Sequence, residues 1–160
     1  MSTQVGVLFV CLGNICRSPT AEGVFRARVA AAGLADRIRI DSAGTAGWHA
    51  GKPPDARSIR YAAQRGIDIS ALRARQVAPA DFLQFDVVLA MDNDNREALL
   101  RMAPPAQRHK VALFLDHAPA AGVREVPDPY YGGAEDFARV LDLVEQAADG
   151  LLGRLRERLA

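Results

Sequence analysis

The stretch "VGVLFVCLGNICRSPT", residues 5–20, decides how the chain is read. An apolar run rich in β-branched residues ends at Cys11, which is the signature of a buried strand. Gly13 and Asn14 follow, the residue types most tolerant of left-handed backbone angles. Pro19 suits the first position of a helix, with Ser18 before it as the cap. The stretch therefore reads as a strand, a tight loop and a helix start. Both cysteines of the chain, Cys11 and Cys16, and the guanidinium of Arg17 fall inside it. Three uses compete for them: a metal or disulfide clip, a passive phosphate-binding loop, and a nucleophile inside an anion cradle.

Outward from this stretch the pattern repeats. Apolar runs at 38–41, 85–91 and 110–115 predict three more buried strands. Helical patterns lie between them, at 19–32, 55–64, 79–83 and 95–102, and a last helix runs from 134 to the end. Strands alternating with helices imply an α/β fold, with a parallel sheet covered by helices on both faces. No repeat, low-complexity tract or linker divides residues 1–160, so they read as a single domain. In such sheets ligands gather beyond the carboxyl ends of the strands. The Cys11–Arg17 loop is at such an end.

Size and charge narrow the field. A chain of 160 residues buries roughly two-thirds of the surface its unfolded form exposes, enough for a core without disulfide staples. The balance of 20 basic against 19 acidic residues gives no one-signed surface of the kind that nucleic acid or an anionic membrane attracts. Any anion site must be local. The start "MSTQVGVLFVC" has no basic segment ahead of its apolar run, which is too short for a signal-peptide core or a membrane span. A cytoplasmic location is the expectation. Cys11 and Cys16 have four residues between them, which fits neither the usual zinc spacing nor a redox pair, and His49, His109 and His117 are the only histidines. Neither a metal nor any other cofactor is expected.

The loop has its own chemistry. A strand-to-helix junction surrounds its interior with backbone N–H groups and the positive end of the helix dipole, which favours an anion. At the bottom of that cradle, amides, dipole and Arg17 all favour the thiolate of Cys11, the nucleophilic form. The planar fork of Arg17 can hold two phosphate oxygens, over which the transition state of phosphoryl transfer spreads its charge. A plainer alternative takes Cys11 as a small buried hydrophobe, Arg17 as a solvated charge and Ser18 as an ordinary cap. It treats a cysteine, five loop residues and an arginine at such a junction as coincidence.

At Cys11, Gly13, Asn14, Cys16, Arg17 and Ser18 the chain resembles the low-molecular-weight protein tyrosine phosphatase family. The resemblance extends through "DSAG" at 41–44, "PDAR" at 54–57, "MDNDN" at 91–95 and "DPYY" at 128–131. It implies a flavodoxin-like sheet of four parallel strands. It also implies that Asp128, bracketed by Pro127 and Pro129, is the acid that protonates the leaving oxygen. Trp48, Tyr130 and Tyr131, with Leu12 and Ile15, would form an aromatic slot above the phosphate. His49, beside Trp48, is read as lying outside the site. Asn14 would hold the loop in shape, Ser18 would donate to the thiolate, and Ser42 would support them. Many relatives carry a histidine that helps to fix the loop asparagine where this chain has Leu72, so the support of Asn14 is where it departs from the family pattern.

The resemblance implies hydrolysis of phosphotyrosine in a protein substrate through a cysteinyl-phosphate intermediate, by a monomer that needs no metal, nucleic acid or membrane. Cys16 would either pack beneath the loop or capture an oxidised Cys11 as a disulfide. Two alternatives remain beside this reading. A phospho-ligand binding module could use the same loop without turnover. An arsenate reductase of the same fold would hand its oxidised state to later cysteines, and none follows Cys16.

Overall fold

A computed structural model describes residues 4–160. Residues 1–3, which belong to the stretch read above as lacking a basic leader, lie outside the described residues. Four strands, β1 (Val5–Cys11), β2 (Ile38–Gly44), β3 (Val87–Ala90) and β4 (Val111–Leu113), form one parallel sheet in the order β2-β1-β3-β4. Every residue of β1 is buried, as its central place requires. Alternate side chains point to opposite faces. Val5, Val7, Phe9 and Cys11 join the core beneath α1 (Arg17–Ala31) and α5 (Ala134–Leu159). Leu8 and Val10 join Phe82, Phe85 and Leu99 on the other face, which is covered by α3 (Asp81–Gln84) and α4 (Asn93–Met102). The remaining helix, α2 (Ala56–Gln64), packs against α5. Phe9 makes edge-to-face contacts with Phe25 at 5.7 Å and with Phe114 at 5.0 Å between centroids. Each pair adds about 0.5–1.5 kcal/mol beyond area burial, and together they tie β1 to α1 and to the segment after β4.

The expected elements are present, with shifted ends. β2 continues three residues past the apolar run at 38–41, through Ser42 to Gly44, because it pairs with β1 all the way to Cys11. β4 is only three residues long. Short 3-10 turns at Pro105–Lys110 and Phe114–His117 flank it; among the described residues it is an edge strand that pairs with β3 alone. β3 is likewise shorter than 85–91, since the amide of Phe85 is spent on the carbonyl of Asp81 at the end of α3. The start of α1 is the main difference. The helix begins at Arg17 with Cys16 in the cap position, so Ser18 lies inside the first turn and does not cap it. Pro19 is tolerated there because the first N–H groups of a helix have no intrahelical partner.

The order β2-β1-β3 sends consecutive crossovers to opposite sides of β1, and the crevice so created opens beyond its carboxyl end. The loop 12–16 lies in that crevice. Gly44, at the matching end of β2, lets the loop come close: a Cβ there would stand 2.8 Å from the Leu12 carbonyl oxygen and 2.9 Å from that of Ala46. No helix among the described residues is long and apolar enough to cross a membrane.

Candidate active site

Cys11 ends β1 with its thiol buried and its Sγ 3.0 Å from the Ser18 hydroxyl. The hydroxyl that the sequence suggested as a helix cap is thus turned inward to sulfur. Of the two residues expected to take left-handed angles, only Asn14 does so, with φ of 56°. Gly13 does not; it lies close under His49, whose Cδ2 would stand 3.0 Å from a Cβ built on it. His49, read from sequence as outside the site, therefore stands against the loop and lines the cleft. Its lack of any motif spacing to the loop hid it, since the contact arises only when the 45–52 loop folds over.

Asn14 is 3% exposed and fully used. Its Oδ1 accepts from the Arg75 amide at 3.0 Å, and its Nδ2 donates to Ser18 Oγ at 2.7 Å and Ser42 Oγ at 3.0 Å. Leu72 takes no part. A backbone amide supplies what a histidine side chain was expected to supply, and Arg75 is itself tied by Asp41 and Asp81.

Arg17 is 3% exposed. Its Nη1 donates to Asp92 Oδ2 at 2.6 Å and to the Val126 carbonyl at 3.0 Å, while Nη2 stands 3.6 Å from Asp128 Oδ2. Burial works against its charge, but the negative side chains of Cys11, Asp92 and Asp128 outweigh burial and hold its pKa above the ordinary arginine value. Asp92, to which the sequence reading gave no role, caps α4 through Oδ1 and grips Arg17 through Oδ2. The helix was read from 95, and it begins two residues earlier behind Asp92; the contact of Asp92 with Arg17 spans 75 residues of sequence and leaves no local signal.

The Asp128 loop is anchored at both ends. Val126 donates its amide to the carbonyl of Met91, directly after β3. Arg57 donates to the Tyr130 carbonyl at 2.8 Å, lies over the rings of Tyr130 and Phe137, and is held by Asp55. Asp55 donates its own amide to the Ile15 carbonyl, so the Asp55–Arg57 pair links the two loops. Asp128 Oδ1 accepts from the Tyr130 amide at 3.1 Å, which leaves its Oδ2 toward Arg17. The cleft between the loops has a volume of about 240 Å³. It is lined by Cys11, Leu12, Ile15 and Arg17 together with Trp48, Asp128, Tyr130 and Tyr131. The aromatic residues surround its mouth: Trp48 is 71% and Tyr131 97% exposed, and Tyr130 meets Tyr131 edge to face.

A model of the family described as low molecular weight phosphotyrosine protein phosphatase matches residues 6–160. The chain belongs to that family. A low molecular weight protein-tyrosine-phosphatase of Streptomyces coelicolor is 46% identical over 96% of this chain and 94% of its own. Among solved structures, a protein tyrosine phosphatase of Entamoeba histolytica superposes with a TM-score of 0.93 at 40% identity, covering 96% of this chain and 98% of that one. YfkJ of Bacillus subtilis gives 0.93 at 38% identity, over 99% and 98%. The four-stranded parallel sheet is the fold of these phosphatases.

The two cysteines of this low-molecular-weight phosphatase are free and differ in environment. Burial pushes the Cys16 thiol up to about 12; the neighbouring Ser58 hydroxyl opposes this, and the charges of Asp55, Cys11 and Asp128 add to it. Against an ordinary value of 9.0, Cys16 holds roughly 10³-fold less thiolate at neutral pH, and the thiolate is the reactive form. Brief treatment of the native protein with iodoacetamide at pH 7.5 is expected to modify Cys11 and spare Cys16. Peptide mass spectrometry reads the result; equal labelling of both sites would show that Cys16 is not held as a buried thiol.

Proposed function

We propose that the protein hydrolyses phosphotyrosine in protein substrates through a phosphocysteine on Cys11. The observation that carries this reading is the convergence of the Cys11–Arg17 loop with a carboxylate 111 residues further along the chain. The Cys11 thiol, the Arg17 guanidinium and the Asp128 carboxyl face one cleft, with Arg17 Nη2 and Asp128 Oδ2 3.6 Å apart. The phosphoryl group sits over Cys11, held by the loop amides, the N-terminal turn of α1 and the free edge of Arg17. The thiolate attacks phosphorus, and Asp128 gives its proton to the departing phenolic oxygen. Asp128 then takes a proton from water as water displaces the sulfur. Trp48 and Tyr131 flank the aryl ring, and phosphoserine is too short to reach the loop while its backbone stays outside their rim.

The reaction as written uses side chains and loop amides alone, and the protein works as a cytoplasmic monomer on a phosphoprotein. For Cys16 to capture a sulfenic acid on Cys11 as a disulfide, its side chain must first leave the burial that holds it as a thiol.

The test is Asp128→Ala assayed across aryl and alkyl phosphates of rising leaving-group pKa, with a phosphotyrosine peptide among them. Poor leaving groups should lose roughly 10²- to 10⁴-fold in kcat, the usual contribution of a general acid, while activated aryl phosphates lose little. An equal loss across the series would remove Asp128 from the acid's role. No turnover by the parent protein would leave a phosphate-binding module in place of an enzyme.

A further inference from the structure

Glu22 is 2% exposed on the second turn of α1, a carboxylate inside the protein that the reaction above does not use. Buried carboxylates are costly unless every oxygen is occupied. Here both are: Oε2 accepts from Arg26 Nε at 2.9 Å, and Oε1 accepts from the Ser42 hydroxyl at 2.7 Å. The second contact fixes a direction. A hydroxyl has one hydrogen, so Ser42, having given it to Glu22, can only accept from Asn14 Nδ2 at 3.0 Å. That sets the Asn14 amide, whose Oδ1 already faces the Arg75 N–H. The other Nδ2 hydrogen goes to Ser18 Oγ at 2.7 Å, and Ser18 is left to donate its own. Two acceptors are in range, Cys11 Sγ at 3.0 Å and the Ala43 carbonyl at 3.4 Å, and the sulfur is nearer. With Leu72 making no hydrogen bond to Asn14, the relay ends at Glu22.

We propose that Glu22 is a positioning residue for the nucleophile, acting through Ser42 and Asn14 so that the Ser18 hydroxyl donates to Cys11 Sγ. The proposal rests on the phosphocysteine reading above. Its effect falls on the second step. Water adds to phosphorus and passes a proton to Asp128, the P–S bond breaks, and its electron pair returns to sulfur as a thiolate that the Ser18 hydrogen stabilises. Without Glu22 the Ser42 hydrogen has no carboxylate to go to and can turn toward Asn14 Nδ2, where donor meets donor. The Asn14–Ser42 bond that helps to hold Nδ2 on Ser18 is then lost, and with it the constraint that turns the Ser18 hydrogen to sulfur.

The experiment compares Glu22→Leu, Glu22→Gln and Ser42→Ala, each alone and combined with Ser18→Ala, by steady-state kinetics on an aryl phosphate and by the burst of phenol release. Glu22→Leu should lower kcat about 10- to 100-fold, the loss of one hydrogen bond to a charged atom. KM should not rise, and a burst should appear because the phosphoenzyme accumulates. Glu22→Gln, whose amide oxygen still accepts from Ser42, should recover most of that loss. In the Ser18→Ala background, Glu22→Leu should add little, because its route to sulfur is already cut. The same factor of loss in both backgrounds would overturn the proposal and make Glu22 a structural residue. If Glu22→Leu fails to fold, Ser42→Ala, which deletes one hydroxyl, carries the same comparison with Ser18→Ala. A parent protein without turnover would instead sink the phosphatase reading itself.

Discussion

Cys11→Ser is expected to lower turnover of aryl phosphates by roughly 10⁴- to 10⁶-fold, the scale seen when a covalent nucleophile is removed. The oxygen replacing sulfur is a hydroxyl that stays protonated at neutral pH, and its hydrogen-bonding neighbour among the described residues, Ser18 at 3.0 Å, is another hydroxyl and no base. The cradle does not depend on the thiol. Asn14 keeps its left-handed turn through bonds to Arg75, Ser42 and Ser18, and Arg17 keeps Asp92 and Val126. Vanadate or phosphate binding, measured by calorimetry, should therefore persist in part while kcat vanishes. Turnover near that of the parent would remove Cys11 from the chemistry.

Arg17→Lys comes next in size, with an expected loss of roughly 10³- to 10⁵-fold in kcat, the range for an arginine that stabilises a transferring phosphoryl group. The structure explains why the change is not conservative. Nη1 is spent on Asp92 and the Val126 carbonyl, leaving the Nε–Nη2 edge for two phosphate oxygens. A lysine has a single nitrogen. It can answer the carboxylate of Asp92 or reach into the cleft, and a point charge does not match two oxygens at once. KM should rise together with the fall in kcat, because the ground-state phosphate loses the same fork. Kinetics within a few-fold of the parent would show that Arg17 serves only to fasten Asp92 and the Asp128 loop.

A single stretch, residues 5–20, was enough to read the strand, the loop and the helix after it, because their signals are local: β-branched apolar residues, Gly-Asn at a turn, proline near a helix start. Ser18 reads in two ways: before proline it looks like a cap, while the resemblance has its hydroxyl donate to the thiolate. The helix starts at Arg17, which removes the cap, and the hydroxyl lies 3.0 Å from Cys11 Sγ. Gly13 reads as a left-handed turn residue, which it is not; its close neighbour, His49, comes from a segment more than thirty residues away. For Leu72 the sequence exposed a missing partner. The replacement was invisible, since the donor to Asn14 is a backbone amide, which carries no residue signature.

What the sequence determined by itself is the fold and the cysteine–arginine loop at the end of its first strand, the pair to which the proposed reaction is assigned. The parallel sheet follows from alternating periodicities, and the cysteine and arginine are fixed relative to each other by five residues of loop, too short to let them part. Asp128 was named by the resemblance, and the tertiary structure alone added Asp92 and Glu22. Asp92, Asp128 and Glu22 lie 75, 111 and 5 residues from Arg17, and they are told apart by what surrounds them. Asp92 grips the guanidinium through one oxygen and caps α4 with the other, Asp128 is half exposed at the cleft, and Glu22 is sealed beneath the loop. A carboxylate's role depends on its hydrogen-bond partners and its access to water, and packing sets both after the chain has folded.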